Sequence, residues 1–157
     1  MEYKETLYLA LIVLVRKRYM CLIAEKNDRG SEAKTMGNEE VDAIINVLKN
    51  FGYSVRKDSI LIGDSGIKHK FDIIAEREGI TLLFNFTEDD RVKYDYLGMI
   101  GKYMDLKNVG TRFFLMVNIN KGLESEELCN NIDLVPYTSI DDLVIKMRKI
   151  LREIELS

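Results

Sequence analysis

The run GDSGIKHKFDIIAEREGITLLFNF, residues Gly63 to Phe86, reads as a glycine-bearing turn that feeds a β-hairpin. FDIIAE and ITLLFNF are short apolar runs rich in β-formers, and Glu78-Gly79 sits between them as a two-residue loop. With that loop length Arg77 pairs with Ile80, and the same register brings Asp72 opposite Asn85. Opposed residues share a face, and alternation puts Thr87 there too. The expectation is a polar trio, Asp72, Asn85 and Thr87, on one side of a sheet. A slip of one residue would turn the second strand over and present Phe84 and Phe86 instead.

Outward from the hairpin, periodicity supplies the other elements. Before it, Asn38 is placed to cap a helix with Glu39 and Glu40 in its first turn. Val41, Ile44, Ile45, Leu48 and Phe51 fall on one helical face, and Gly52 follows where a left-handed cap belongs. YSV and SILI are strand pieces before the Gly63-Asp64-Ser65-Gly66 turn. After it, Thr87 and Asp90 have capping-box spacing for a helix carrying Val92, Tyr96, Met99, Ile100 and Tyr103 on one side. RFFLMVN, from Arg112 to Asn118, is the continuous apolar run of a strand covered on both faces. A short helix around Glu124 to Leu128, a strand at IDLVP and a final helix capped by Ser139 complete the chain. The expected architecture is an α/β sandwich with a central mixed sheet: one helix, a three-stranded meander, then alternating helices and strands.

Bulk properties bound the function. The chain has 157 residues, 46% hydrophobic and 31% charged, with a formal net charge of −3. That is the size of one folded core and is not the composition of a strongly basic nucleic-acid coat. Cys21 and Cys129 form no C-x-x-C pair, so free thiols in a reducing cytosol are expected. With a single histidine, His69, a multi-histidine metal centre is excluded. One proline, no tryptophan and abundant Ile, Lys and Glu lean toward a thermophilic or archaeal source. LYLALIVLV, Leu7 to Val15, is too short to span a bilayer and lacks the flanks of a signal peptide, so no membrane role is expected. Residues 1–37 read as an N-terminal extension for packing or homodimerisation. MCLIAEK is a candidate strand within it and Asn27 to Asn38 a linker; residues 38–157 form the main domain.

The order helix, GY, glycine turn, strand with Asp72, hairpin, helix, RFFLMVN resembles the PD-(D/E)XK restriction-endonuclease-like superfamily, in particular its Mrr-type and archaeal Holliday-junction-resolvase branch. The resemblance runs from about Asn38 to Ile150 and includes NNIDLVPYTSIDDLVIKM. It implies a restriction-endonuclease-like α-β-β-β-α-β-α core and a Mg²⁺-dependent phosphodiesterase acting on DNA. It also implies that Asp72 and a helix acid, Glu40 or Glu39, hold the metal. Asn85 stands at the second-ligand position and Thr87 at the lysine position. Both depart from the pattern, since an amide brings no charge and a hydroxyl no ammonium. Lys68, Lys70 or Lys93 would have to replace the lysine, and Glu88, Asp89 or Asp90 the acid. The implied site is therefore degenerate or rearranged. A non-catalytic nucleic-acid-binding or homodimeric module is the alternative.

Each residue also has a plainer reading. Asp72 could be a strand carboxylate neutralised by Lys70 or bonded within the Gly63–Gly66 turn. Glu39 and Glu40 could serve only the helix dipole. His69, between two lysines, is most simply a surface or turn residue, though it could meet phosphate. Lys68, His69, Lys70, Arg77, Arg91 and Lys93 form a candidate phosphate-binding rim, or a set of scattered solvated cations. Tyr94, Tyr96 and Tyr103 read as packing residues.

Overall fold

The computed structural model describes residues 38–88, 90–119 and 131–157. Expectations for the N-terminal extension, Cys21, Asp89, Cys129 and the short helix near Glu124 lie outside the described residues. Eight elements follow in order: α1 (Asn38–Asn50), β1 (Ser54–Ile62), β2 (Lys68–Arg77), β3 (Ile80–Glu88), α2 (Val92–Leu106), β4 (Thr111–Asn118), β5 (Ile132–Tyr137) and α3 (Ile140–Leu156). The five strands form one mixed sheet in the order β1-β2-β3-β4-β5. β1, β2 and β3 are antiparallel, while β3, β4 and β5 run parallel. The α/β class and mixed sheet are as expected. The described order is α-β-β-β-α-β-β-α, one strand longer than the compact order the resemblance implies.

Helices cover both faces. On one face, Val41, Ile44, Val47 and Leu48 of α1 and Leu143, Met147, Leu151 and Ile154 of α3 pack onto Ile73, Ala75, Leu82, Phe84, Phe86, Phe114 and Met116. On the other, Val92, Tyr96 and Met99 of α2 pack onto Phe71, Ile74, Leu83, Phe113, Leu115 and Val117. The central strands carry apolar side chains on both sides because both sides are covered, and this is why RFFLMVN shows no alternation.

Local signals explain most boundaries. Glu78 and Gly79 have φ of 48° and 81°, the paired left-handed conformation of a tight hairpin turn. Gly52, with φ of 84°, ends α1. Ser139 caps α3 by accepting the Asp142 amide at 3.1 Å, while the Asp142 carboxylate accepts the Thr138 amide at 3.1 Å.

Three expectations need correction. YSV and SILI are not separate pieces: they are one nine-residue strand, β1. Asn38 is the first residue of α1, and its carboxamide oxygen accepts from Lys57 Nζ at 3.4 Å. The Thr87–Asp90 capping box does not form. Thr87 and Glu88 stay in β3, paired with Val117 and Asn118, so the helix begins only at Val92, with Arg91 at the cap and no side-chain cap bond. Ladder pairing with β4 outcompetes the local cap.

Candidate functional site at the open end of the hairpin

The β2–β3 ladder runs in the expected register from Arg77–Ile80 to Ile73–Phe84 and ends there. At the next position side chains replace the ladder. The Asn85 carboxamide oxygen accepts the Asp72 amide at 3.1 Å, and the Asp72 carboxylate accepts the Phe86 amide at 2.8 Å. These bonds satisfy two backbone donors at the point where the strands part, a requirement for half-buried backbone. Asp72 thus meets Asn85 as the register predicts, but as a strand clasp.

Alternation in β2 slips at the same place. Ile73 and Ala75 face α1 and α3, and Ile74 faces α2, yet Phe71 also lies on the α2 side. Across from Asp72, the β1 pairing skips Asp58, which has φ of 47° between the pairs Lys57–Ile73 and Ser59–Phe71. A non-glycine residue in that conformation marks local strain.

Burial raises the Asp72 pKa above the usual carboxylate range; the Phe86 amide and the charge of Lys102 pull it down, Asp58 pushes it up, and Lys70 lowers it slightly. Lys102, on α2, donates to the Lys70 carbonyl and lies 4.7 Å from the centre of the Phe71 ring. It was missing from the sequence reading. Lys102 and the acids Asp95 and Asp105 flank the apolar stripe of α2, and that spacing was the available signal.

Thr87 is buried, and its hydroxyl donates to the Asp95 carboxylate of α2. Glu40 belongs to the opposite layer. Its pKa is raised by burial and by the charges of Glu39 and Glu88. The helix that carries Glu40 packs on Phe84 and Phe86, with Phe84 stacked on Phe114 at 4.9 Å between ring centres. The residues carried over by resemblance are therefore divided by the sheet: Thr87 under α2, Glu40 in α1 on the other side.

The candidate rim is similarly dispersed. Arg77 lies at the turn end of the hairpin, where it donates to the Phe51 carbonyl at 2.6 Å and pairs with Glu155 at 2.8 Å. Lys68 and Lys70 are exposed at the start of β2, and Arg91 and Lys93 are exposed at the start of α2. Of its two plain readings, His69 is not at the surface but is tied to the turn: it is 4% exposed, and its Nε2 lies 2.6 Å from Asp105 Oδ2. Asp105 also accepts from the Ser65 hydroxyl at 2.6 Å and the Ser65 amide at 2.9 Å. So Asp105, not Asp72, holds the Gly63–Gly66 turn. This serine, histidine and aspartate trio is no nucleophilic triad, because the serine bonds the aspartate and not the imidazole.

The carried-over residues do not make a Mg²⁺ site as placed. Magnesium takes oxygen ligands in near-octahedral geometry. Here one Asp72 oxygen and the Asn85 oxygen are occupied by backbone donors, the Thr87 hydroxyl is turned to Asp95, and Glu40 sits in the other layer. Among the described residues no three His, Cys, Asp or Glu side chains converge as a metal-binding group. No described helix is long and apolar enough to cross a membrane.

No family model and no curated protein matches this chain. Among solved structures, it is similar to one described as "Crystal Structure of Protein of Unknown Function AF1548", with 14% identity and a TM-score of 0.49. The match covers 69% of this chain and 66% of that one, so this chain spans just under two thirds of that structure's length.

Proposed function

We propose that this chain is a nuclease-fold protein that engages nucleic acid without cutting it at the hairpin. The resemblance of its sequence to the Mrr-type and resolvase branch motivates the nucleic-acid part. The clasp carries the rest: the two positions that would hold a metal in that family are engaged with the backbone of each other's strand. A carboxylate and an amide used in this way tie the two strands together where the ladder ends and leave little for a cation. Lys68 and Lys70 at this end supply exposed positive charge for phosphate contact.

One observation favours a second reading, an active Mg²⁺-dependent endonuclease with a rearranged site. An acid, Asp58, and an ammonium, Lys102, both act electrostatically on Asp72. In that reading Asp58 and Asp72 are the acids and Lys102 replaces the missing lysine.

One experiment separates the two. The full chain and Asp72→Ala are incubated with plasmid, single-stranded and branched DNA in Mg²⁺ or Mn²⁺, and DNA retardation is followed at several salt concentrations. Salt-dependent retardation without cleavage supports the binding reading. Cleavage lost in the Asp72 variant establishes the rearranged site, and absence of both cleavage and retardation overturns the nucleic-acid assignment.

A further inference from the structure

The C-terminal ends of the parallel strands carry a second polar group that the hairpin does not use. Glu88 ends β3, Asn118 ends β4 and Tyr137 ends β5. The register pairs Glu88 with Asn118 and Asn118 with Tyr137, so the three stand in a row across the edge of the sheet. They also share a face. Phe84, Phe86, Phe114, Met116, Val135 and Tyr137 all belong to the layer beneath α1 and α3, and alternation puts Glu88 and Asn118 on that side. The first turn of α1 brings Glu40 to the same layer.

Two features of this row are unexplained by packing. Tyr137 is 1% exposed, yet its hydroxyl is the buried side-chain polar atom without a hydrogen-bond partner among the described residues. A native structure rarely leaves such a group unsatisfied unless a ligand or ordered water completes it. Second, the charges acting on Glu40 and on Tyr137 are all carboxylates: Glu39 and Glu88 on the first, Glu40 and Glu88 on the second. Among the described residues no lysine or arginine offsets them. Lys146, which approaches the Pro136 carbonyl at 2.6 Å, is paired with Asp142 at 3.0 Å.

We infer that Glu40, Glu88, Asn118 and Tyr137 form a binding site for a partly hydrated divalent cation at the C-terminal edge of the parallel strands. Two carboxylates, a carboxamide oxygen and a phenol are hard oxygen donors. Magnesium and manganese are commonly held by one or two carboxylates while keeping several waters. Among the described residues two acids, Glu40 and Glu88, face the row, and water completes the shell. The position lies beyond the carboxyl ends of the parallel strands β3, β4 and β5. The site shares Glu40 with the one implied by the resemblance, and Glu88 is among the acids that could stand in there, but it uses neither Asp72 nor Asn85 and stands whether or not the chain handles nucleic acid.

The test is Mn²⁺ binding to the full chain, followed by electron paramagnetic resonance and by thermal shift, with spermidine as a parallel arm. The expected result is one saturable Mn²⁺ site below about 1 mM. Glu88→Gln should weaken it by about 10-fold or more. Tyr137→Phe should weaken it by a few-fold without lowering the melting temperature in the absence of metal, because it removes an unsatisfied hydroxyl. Glu78→Gln, in the hairpin turn, should leave Mn²⁺ affinity unchanged. The inference is overturned by absence of saturable Mn²⁺ binding, by binding that survives Glu88→Gln, by loss with Asp72→Asn instead, or by stabilisation with spermidine alone.

Discussion

Asp72 and Asn85 close the hairpin by trading side-chain acceptors for backbone donors, 3.1 Å from the Asp72 amide to the Asn85 oxygen and 2.8 Å from the Phe86 amide to the Asp72 carboxylate. The acceptor matters here more than the charge. Asp72→Asn keeps an oxygen for the Phe86 amide and removes a carboxylate that burial already disfavours. It is expected to fold with stability within about 1 kcal/mol of the parent at pH 7. Asp72→Ala leaves a half-buried amide unpaired and is expected to cost about 1–3 kcal/mol. Urea denaturation of the two variants is the measurement. Equal losses for both would show that the charge itself holds the strands.

The reverse exchange tests the same contact by pH. Asn85→Asp retains an acceptor for the Asp72 amide but sets a second carboxylate beside one whose pKa is already raised. Like charges push both pKa values further up. A folded-state pKa above the unfolded value means that stability is lost as pH rises through the window between the two. Asn85→Asp is therefore expected to be close to the parent near pH 4 and less stable by about 1–3 kcal/mol at pH 7. A deficit that does not change with pH would point to a steric cause.

The hairpin was legible because its information is local. A two-residue loop and strand alternation predict which residues oppose each other, and Arg77–Ile80 through Ile73–Phe84 follow. What lies beyond Ile73 was not legible. Alternation fails at Phe71 and the β1 pairing skips Asp58, both responses to neighbouring strands and to α2. His69 read as a surface or turn residue because its sequence neighbours are lysines, and its burial was hidden because its partner Asp105 is 36 residues away. Thr87 looked like a cap for the same reason: the competing pairing with Val117 is contributed by a strand much later in the chain. Motif reading set Glu40 beside Asp72, but only the layer assignment shows that α1 packs on Phe84 and Phe86.

Gly63 is required by a close approach. A methyl group built on it would lie 2.0 Å from Asp105 Oδ2, in a turn where that carboxylate already holds Ser65 and His69. The side chain has little room to retreat, since it is 5% exposed. Gly63→Ala is expected to destabilise the chain by about 1–3 kcal/mol, the usual range for overpacking. Thermal denaturation checks this, and the double variant Gly63→Ala with Asp105→Ala should lose less than the sum of the single losses. Strict additivity would show that the two residues do not touch.

Asp105 also sets an acid limit. Burial opposes its charge, but the Ser65 hydroxyl, His69 and the Ser65 amide outweigh that and hold the carboxyl down to about 2. A carboxylate with a depressed folded-state pKa contributes stability that is complete above its unfolded pKa and is lost as pH falls through the folded one. The window runs from the ordinary carboxylate value near 3.8 down to about 2. Removing the Ser65 hydroxyl should narrow it, because one of the bonds that stabilise the charge disappears. Ser65→Ala is expected to cost about 1 kcal/mol at neutral pH. Relative to the parent, the penalty should shrink as pH falls from 3.8 toward about 2, where the folded variant's Asp105 takes up its proton before the parent's does. Urea midpoints from pH 7 to pH 2 measure the difference, and a Ser65→Ala penalty that stays constant across that range would mean the hydroxyl acts on the turn and not on the Asp105 charge.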